Sequence, residues 1–493
     1  MIIKFLTDTP AKNEAVVYFV DNSKSIKGDL INLDKDGQIT RAINSSSAFS
    51  WKEGQILHIL APTYLDTAHI FIVSIAECNS AVGIERIGAK IADSLNQYKI
   101  ASASVFLDSI DLTPDLYASF FFGVKLKNYV FSKYYVSKKD DYLKSLQSIS
   151  GISKKAEEVS LKFDSLDAIA EGVLTARDLV SEPANVLFPK SFADKCTDLR
   201  SLGVNVKILD ESEMIKLGMG ALIGVAQGSA NKPYTVIMDW NPEVNNKKTI
   251  AMAGKGVCFD TGGLNIKSAA SNIADMKDDM GGAAAVFGAM YAIAKQKLNV
   301  RVVGIIGLVE NSVSATAQRP SDIVITMSGQ TVEVENTDAE GRLVLSDIMW
   351  YVQEHYNPDY LFDIATLTGA VTVALGEGGY AGLFSNDDEL ASDVLRLGIQ
   401  TGEEFWRLPL SETYDKQIDS EIADMRNTGT VRGGGATIAA QFLQRFVQSG
   451  NKWAHLDIAN VAWNKRGTVI APKGATGFGV RILEAFAKEC VST

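Results

Sequence analysis

The chain has 493 residues, of which 46% are apolar and 22% charged, with a net charge of −11. That length and apolar share exclude a disordered or fibrous chain and provide for two domains, one of them large. Lys and Arg balance Asp and Glu across residues 1–150, so the excess acid lies in 151–493, a poor footprint for nucleic acid but one suited to metals and cationic amines.

Strand and helix patterns alternate through the first 150 residues. Residues 15–20, 55–61, 70–76 and 101–107 read as strands, and 82–98 carries Ile84, Ile87, Ile91 and Leu95 at helical spacing. This predicts a small α/β domain over 1–152 with no chemically suggestive cluster. A polar stretch at 137–151, with Lys138, Lys139, Asp140 and Asp141, marks its boundary. A helical run then makes 153–180 a linker into a larger domain over 181–493. In that part, strand candidates at 204–209, 234–238, 249–253, 300–308, 360–366, 382–385 and 455–459 alternate with helical patterns at 282–297, 343–356, 390–401, 437–447 and 482–490. The alternation predicts an α/β fold, a central, mostly parallel sheet sandwiched by helices. Gly433-Gly434-Gly435 lacks a following Lys-Ser/Thr and reads as a turn at a site rim rather than a phosphate loop.

The four cysteines, Cys78, Cys196, Cys258 and Cys490, are scattered and form neither a disulfide framework nor a thiolate zinc knuckle. The first ten residues lack the basic region, apolar core and cleavage site of a signal peptide. The longest apolar stretch, at 283–294, falls short of the roughly 20 residues that span a bilayer. A soluble, cytoplasmic protein is the expectation.

Chemistry concentrates in the second part. Asn336-Thr337-Asp338-Ala339-Glu340-Gly341-Arg342-Leu343 puts Asp338, Glu340 and Arg342 at every second position, which in an extended segment project to one side. Neighbouring carboxylates repel unless a cation separates them, and a divalent metal is the candidate; Arg342 can hold an anion beside it. Upstream, Lys255 and Asp260 are expected in a loop past the strand 249–253, where open α/β sheets place ligands. Lys267 follows, and Asp279 stands just before the helix at 282–297. Asp260, Asp279, Asp338 and Glu340 offer more oxygens than one ion needs, which favours two metals. A donor set without histidine suits manganese or magnesium as well as zinc. None of His58, His69, His355 and His455 has ligand spacing to another, and His455 reads as a core histidine. Cys258 reads as a small buried hydrophobe.

At these residues the chain resembles the leucyl (cytosol) aminopeptidases, a family of two-metal exopeptidases. Residues 336–343 resemble its signature octapeptide and 176–185 its entry into the catalytic domain. Residues 254–263 and 279–282 resemble its first metal loop and the helix behind it. Residues 453–459 and 474–481 resemble its last core strand and closing segment, so the likeness spans 175–485. The resemblance implies that Lys255, Asp260, Asp279, Asp338 and Glu340 ligate two divalent ions, manganese or zinc. Asp260 and Glu340 would bridge them, and the Asp338 backbone carbonyl would help one. Lys267 and Arg342 match the two catalytic positions that do not ligate.

In that scheme a metal-bridged hydroxide attacks the peptide carbonyl, which one metal and Lys267 polarise. Arg342 would hold a bicarbonate that carries the water's proton to the leaving amine. The other metal would take the substrate's free α-amine, and Lys255 would ligate as a neutral amine. An apolar pocket by Met276 would favour Leu or Met substrates. The family also implies a homohexamer with sites facing an interior cavity. Ser181 and Asn460 stand where many members have Asn and Gly, and the spacing from Lys267 to Asp279 is one residue longer than in some. Asp278 adds a third acid beside Asp279.

Two other readings stand beside this one. Lys127, Lys133, Lys138 and Lys139 interleave with Tyr129, Tyr134 and Tyr135, a pattern that suits nucleic acid on a DNA-binding regulator. Asp140 and Asp141 offset that charge, so nucleic acid is not the expected partner. A two-metal phosphoesterase is disfavoured, because the metal-loop lysines match an amine-recognising peptidase.

Overall fold

The computed structural model describes residues 1–8, 14–62, 67–137, 142–242, 248–268 and 272–492. They form two units, residues 1–170 with 467–472 and residues 171–466 with 473–493. The helix Ala156–Ser181 belongs to the first unit at its start and to the second at its end.

The first unit holds a six-stranded sheet of β1 (Ile2–Leu6), β2 (Ala15–Asp21), β3 (Ile56–Leu60), β4 (His69–Ala76), β5 (Ser102–Phe106) and β6 (Ser148–Ile152), in the order β1-β6-β5-β2-β4-β3. Only β3 with β4 is antiparallel. β2 and β4 are central and buried on both faces, which is why they read as unbroken apolar runs. The expected strands appear as β2 to β5, and the expected helix as Ala81–Gln97 with Ser80 accepting from the Gly83 N–H as its cap.

Among the elements not visible in the pattern are two strands and three helices, two of the helices being the short Asp29–Leu33 and Gln38–Ser45. β1 is a short, half-exposed edge strand, and β6 (Ser-Ile-Ser-Gly-Ile) offers only two large apolar residues. β6 lies inside the stretch that reads as a boundary. The helix Pro114–Lys127 buries nine residues around its circumference, so it has no polar face to mark a period. Lys138, Lys139, Asp140 and Asp141 lie outside the described residues. Nearby, Lys125 pairs with Asp167, and Lys127 pairs with Asp93 at 3.3 Å and donates to the Thr468 carbonyl at 2.9 Å. The histidines hold one surprise. His58 Nε2 lies 2.9 Å from His69 Nδ1, because antiparallel pairing of β3 and β4 brings together residues eleven apart.

The second unit is built on eight strands: β7 (Asn205–Leu209), β8 (Tyr234–Trp240), β9 (Thr249–Asp260), β10 (Arg301–Asn311), β13 (Tyr360–Ala365), β14 (Ala381–Ser385), β15 (Phe405–Arg407) and β17 (Lys452–Asp457). A separate small sheet joins β11 (Ile323–Ile325), β12 (Thr331–Glu333) and β16 (Met425–Arg426). The large sheet runs β15-β14-β17-β13-β9-β10-β8-β7, with β17, β13, β9 and β10 mutually parallel at its centre. Antiparallel pairings lie toward its edges, β8 on β10, β7 on β8 and β14 on β17. Helices cover both faces, as the expected sandwich requires. Gly304 of β10 lies against Met290 and Val286 of the helix Gly281–Gln296. Gly307, on the opposite face, lies against Val344 and Ile348 of the helix Gly341–Tyr356.

The chain passes from β9 to β10 on one side and later returns to β13 on the other. Strand order therefore reverses at β9, which opens a crevice at the carboxyl ends of these strands. One expectation changes here. β9 continues to Asp260, so Lys255 lies within a strand and not in a loop. Its ladder with β10 holds as far as Asp260 opposite Asn311. Gly254 admits a helix: a Cβ there would stand 2.7 Å from the Ala283 Cα.

Candidate metal centre

Four elements deliver acidic and basic groups to the crevice. β9 ends in Asp260 and carries Lys255 five residues earlier. Lys267 follows in the loop beyond β9. Asp279 closes the 3-10 turn Ile273–Asp278 just ahead of the helix Gly281–Gln296. Glu340 caps the helix Gly341–Tyr356 with φ −79° and ψ −34°. The octapeptide is therefore not extended, as the alternation argument supposed. Ala339 N–H donates to the Asn336 carbonyl at 3.1 Å, closing a turn, and Arg342 already belongs to the helix. The helix opens on Gly341 because a Cβ there would meet Lys255 Cε at 2.5 Å.

The sequence-predicted residues do converge. One carboxylate oxygen from each of Asp260, Asp279 and Glu340 lies within 4.8 Å of the others, and all three residues are buried. Lys255 Nζ reaches Asp279 Oδ1 at 2.7 Å, Glu340 Oε1 at 2.8 Å and the Thr366 carbonyl at 3.0 Å. Lys267 Nζ reaches Asp260 Oδ2 at 2.7 Å and Asp338 Oδ1 at 2.6 Å. Asp338 is the outlier. Its side chain is 32% exposed and stays outside the three-oxygen group, tied to Lys267.

The electrostatics are those of a charge cluster taken out of water. Burial alone would depress the Lys255 ammonium, but Asp279, Glu340 and Asp260 hold it above its ordinary value. Burial, then Asp260 and Glu340, act on Lys267 in the same way. Burial and the neighbouring carboxylates push Asp279 and Glu340 upward. Burial, then Asp275, raises Asp278 to about 7.

The donor set fits divalent cations. Asp279 Oδ2 is buried and has no hydrogen-bond partner, which is costly unless a cation or donor takes it. Hard carboxylate oxygens gathered from separate elements are what such ions bind. Arg342 is buried; Nη1 donates to the Asn427 carbonyl at 2.6 Å, while Nε has no protein partner. Burial lowers its pKa to about 10, against the opposing pull of Glu340 and Asp457.

Several supporting residues escaped sequence reasoning. Asn311 donates to Asp260 Oδ1 at 2.8 Å and to the Thr337 carbonyl at 2.9 Å. Asn427 accepts from the Glu335 and Asn336 N–H groups and donates to the Asn336 carbonyl, holding the octapeptide turn. Thr366 Oγ1 donates to Asp279 Oδ1 at 2.9 Å. Asn311 ends an apolar strand with a polar residue, a signal that could have flagged it. Nothing local distinguishes Asn427.

Known proteins resemble this chain over nearly its whole length. A model of the cytosol aminopeptidase family, catalytic domain, matches residues 174–484. The probable cytosol aminopeptidase of Rickettsia massiliae (strain Mtu5) is 43% identical over 499 residues, covering 99% of both chains. That of Ehrlichia ruminantium (strain Welgevonden) is 46% identical over 457 residues, covering 91% of this chain and 90% of the relative. The solved structure of the bottromycin maturation enzyme BotP in complex with Mn superposes with a TM-score of 0.84 at 30% identity, covering 97% of this chain and 100% of that one. The chain belongs to the cytosol aminopeptidase family, whose members are metal-dependent peptide hydrolases.

Proposed function

We propose that this enzyme releases N-terminal residues, preferably leucine or other bulky apolar ones, from peptides with a free amino group. The observation that carries the reading is the buried meeting of Asp260, Asp279 and Glu340, with one Asp279 oxygen lacking a protein partner. Lys255, Asp260, Asp279, Asp338 and Glu340 would hold two divalent ions, manganese or zinc. Such ions supply an acidified water and a Lewis acid for the scissile carbonyl.

The remaining work falls to the chain. Lys267, kept cationic by Asp260 and Asp338, offers N–H donors to a carbonyl oxygen as it gains charge. Arg342 keeps the Nε–H donor for an anion, and bicarbonate is our candidate. The acidic crevice favours the cationic amino terminus of a peptide. Met276, half-buried on the turn before Asp279, supports the apolar preference. We place the catalytic domain at 181–493, after a linker at 153–180 and a smaller domain at 1–152. Exposed Leu264 and Ile266 beside the site suit a homohexamer enclosing a cavity. We place the enzyme in the cytoplasm; among the described residues no helix is long and apolar enough to cross a membrane.

Metal-depleted protein titrated with manganese, zinc or cobalt against a panel of aminoacyl amides tests the reading. Activity should appear as two equivalents bind, rank leucine amide high, and vanish on N-acetylated substrates. Equal hydrolysis of capped and free substrates would overturn it.

A further inference from the structure

A polar ladder on one face of the large sheet has no part in the scheme above. Trp453, His455 and Asp457 take alternate positions on β17, so their side chains share a face, with Asp363 of β13 directly opposite His455. All four are fully buried. Trp453 Nε1 donates to Asp363 Oδ2 at 2.7 Å, and His455 Nδ1 lies 2.5 Å from Asp363 Oδ1. Three ionisable groups inside an apolar sheet cost free energy that an apolar triplet would not.

The end of the ladder nearest the crevice shows what that cost maintains. Asp457 accepts from Thr368 Oγ1 at 2.7 Å, from the Leu367 N–H at 3.2 Å and from the Ala459 N–H at 3.3 Å. Leu367 and Thr368 belong to the turn that leaves β13 and enters the helix Gly369–Leu375, which Thr368 caps by accepting from the Val371 N–H at 3.1 Å. The same turn carries Thr366, whose carbonyl takes Lys255 Nζ and whose hydroxyl donates to Asp279. One carboxylate therefore fastens the segment that touches two of the proposed metal ligands.

We propose that Asp457 is a positioning residue for peptide cleavage: its carboxylate clamps Leu367 and Thr368 to the end of β17 and so fixes Thr366 against Lys255 and Asp279. The proposal rests on the aminopeptidase reading. Asp457 acts through the turn, by the hydrogen bonds it accepts from Thr368 and Leu367. His455, held by Asp363, precedes Asp457 by two residues on the same face of β17.

Four variants of the metal-loaded enzyme test it, read by kcat and KM on leucine amide, metal content and amide exchange over residues 366–371. Asp457→Ala removes the acceptor for both anchors. It should lower kcat about 10- to 100-fold with little change in KM, since a slip of about 1 Å in a catalytic turn has that effect. Both ions should stay bound while exchange in the segment speeds up. Asp457→Asn keeps an oxygen for the backbone N–H groups and should recover most of the lost kcat and protection. A wild-type kcat in Asp457→Ala overturns the proposal, as does equal loss of kcat and of the ions in both variants. Should Asp457→Ala not fold, Thr368→Val decides, read against Thr368→Ser: the valine removes the anchor together with the cap of Gly369–Leu375 and leaves β17 untouched, while the serine keeps both and should retain wild-type kcat. A several-fold kcat loss in Thr368→Val with ions retained supports the clamp, and an unchanged kcat there overturns it. A wild-type protein inactive on every free-amine substrate overturns the underlying aminopeptidase reading instead.

Discussion

Asp260 receives the Gly262 N–H and the Asn311 amide on Oδ1, each at 2.8 Å, and the Lys267 ammonium on Oδ2. Three partners, two from the loop after β9 and one from the end of β10, fix one carboxylate, and removing it leaves a buried ammonium with less compensation. Asp260→Ala or Glu340→Ala should therefore abolish tight binding of both ions and lower kcat/KM by at least about 10³-fold, or about 4 kcal/mol of transition-state stabilisation. Lys267→Ala should differ in kind. It should keep both ions and lower kcat by about 10²- to 10³-fold, the usual effect of losing one donor to a developing oxyanion. Elemental analysis beside steady-state kinetics separates the two cases. Two tightly held ions in Asp260→Ala would remove that residue from the ligand set, and an unchanged kcat in Lys267→Ala would end its electrophilic role.

The helix Gly281–Gln296 can place Asp279 only because it lies almost in contact with the sheet. A Cβ on Gly282 would stand 2.0 Å from the Ile364 carbonyl oxygen and 3.0 Å from the Lys255 N, both backbone atoms with no room to yield. Gly282→Ala should thus lift the helix, destabilise the fold by roughly 3 kcal/mol or more, and weaken metal binding in step. Gly369→Ala, with nothing within 4 Å, should be neutral or stabilising by up to about 1 kcal/mol. Urea denaturation compares the pair, and similar midpoints would refute the close-packing argument. The same contacts explain what could be read beforehand. Alternation and apolar runs made β2 to β5 and the central strands β9, β10, β13 and β17 legible, and the acidic motifs named the residues that meet. The second half of β9 was not legible, because Gly254 and Gly256 signal a loop locally but serve a helix and a strand that arrive later in the chain. The turn at Asn336 and its clamp by Asn427 were hidden for a similar reason: the hydrogen bonds that set them cross 91 residues.

For the folded chain as a whole, pH dependence is set by acids that folding has buried as well as by the surface excess of charge. Glu403 is the clearest case outside the crevice. It accepts the Ile482 N–H at 2.9 Å, and burial raises it to about 7 in spite of Arg481 and Arg177. Burial likewise raises Asp347 to about 7, although it accepts the Leu222 and Met327 N–H groups. In an unfolded chain such groups titrate near about 4. A folded pKa above the unfolded one means that the native state binds more protons in between. Stability from these groups is therefore fully present below about pH 4, falls as pH rises to about 7, and is level beyond. Glu403→Gln resembles the protonated acid at every pH and keeps an oxygen for the Ile482 N–H. Relative to wild type, its stability should improve between pH 5 and pH 8, by up to about 3 kcal/mol. Urea unfolding of the metal-free proteins at both pH values measures this difference of differences. A gap between variant and wild type that is the same at pH 5 and pH 8 would mean that Glu403 is ionised across the whole range and that Arg481 and Arg177 outweigh its burial.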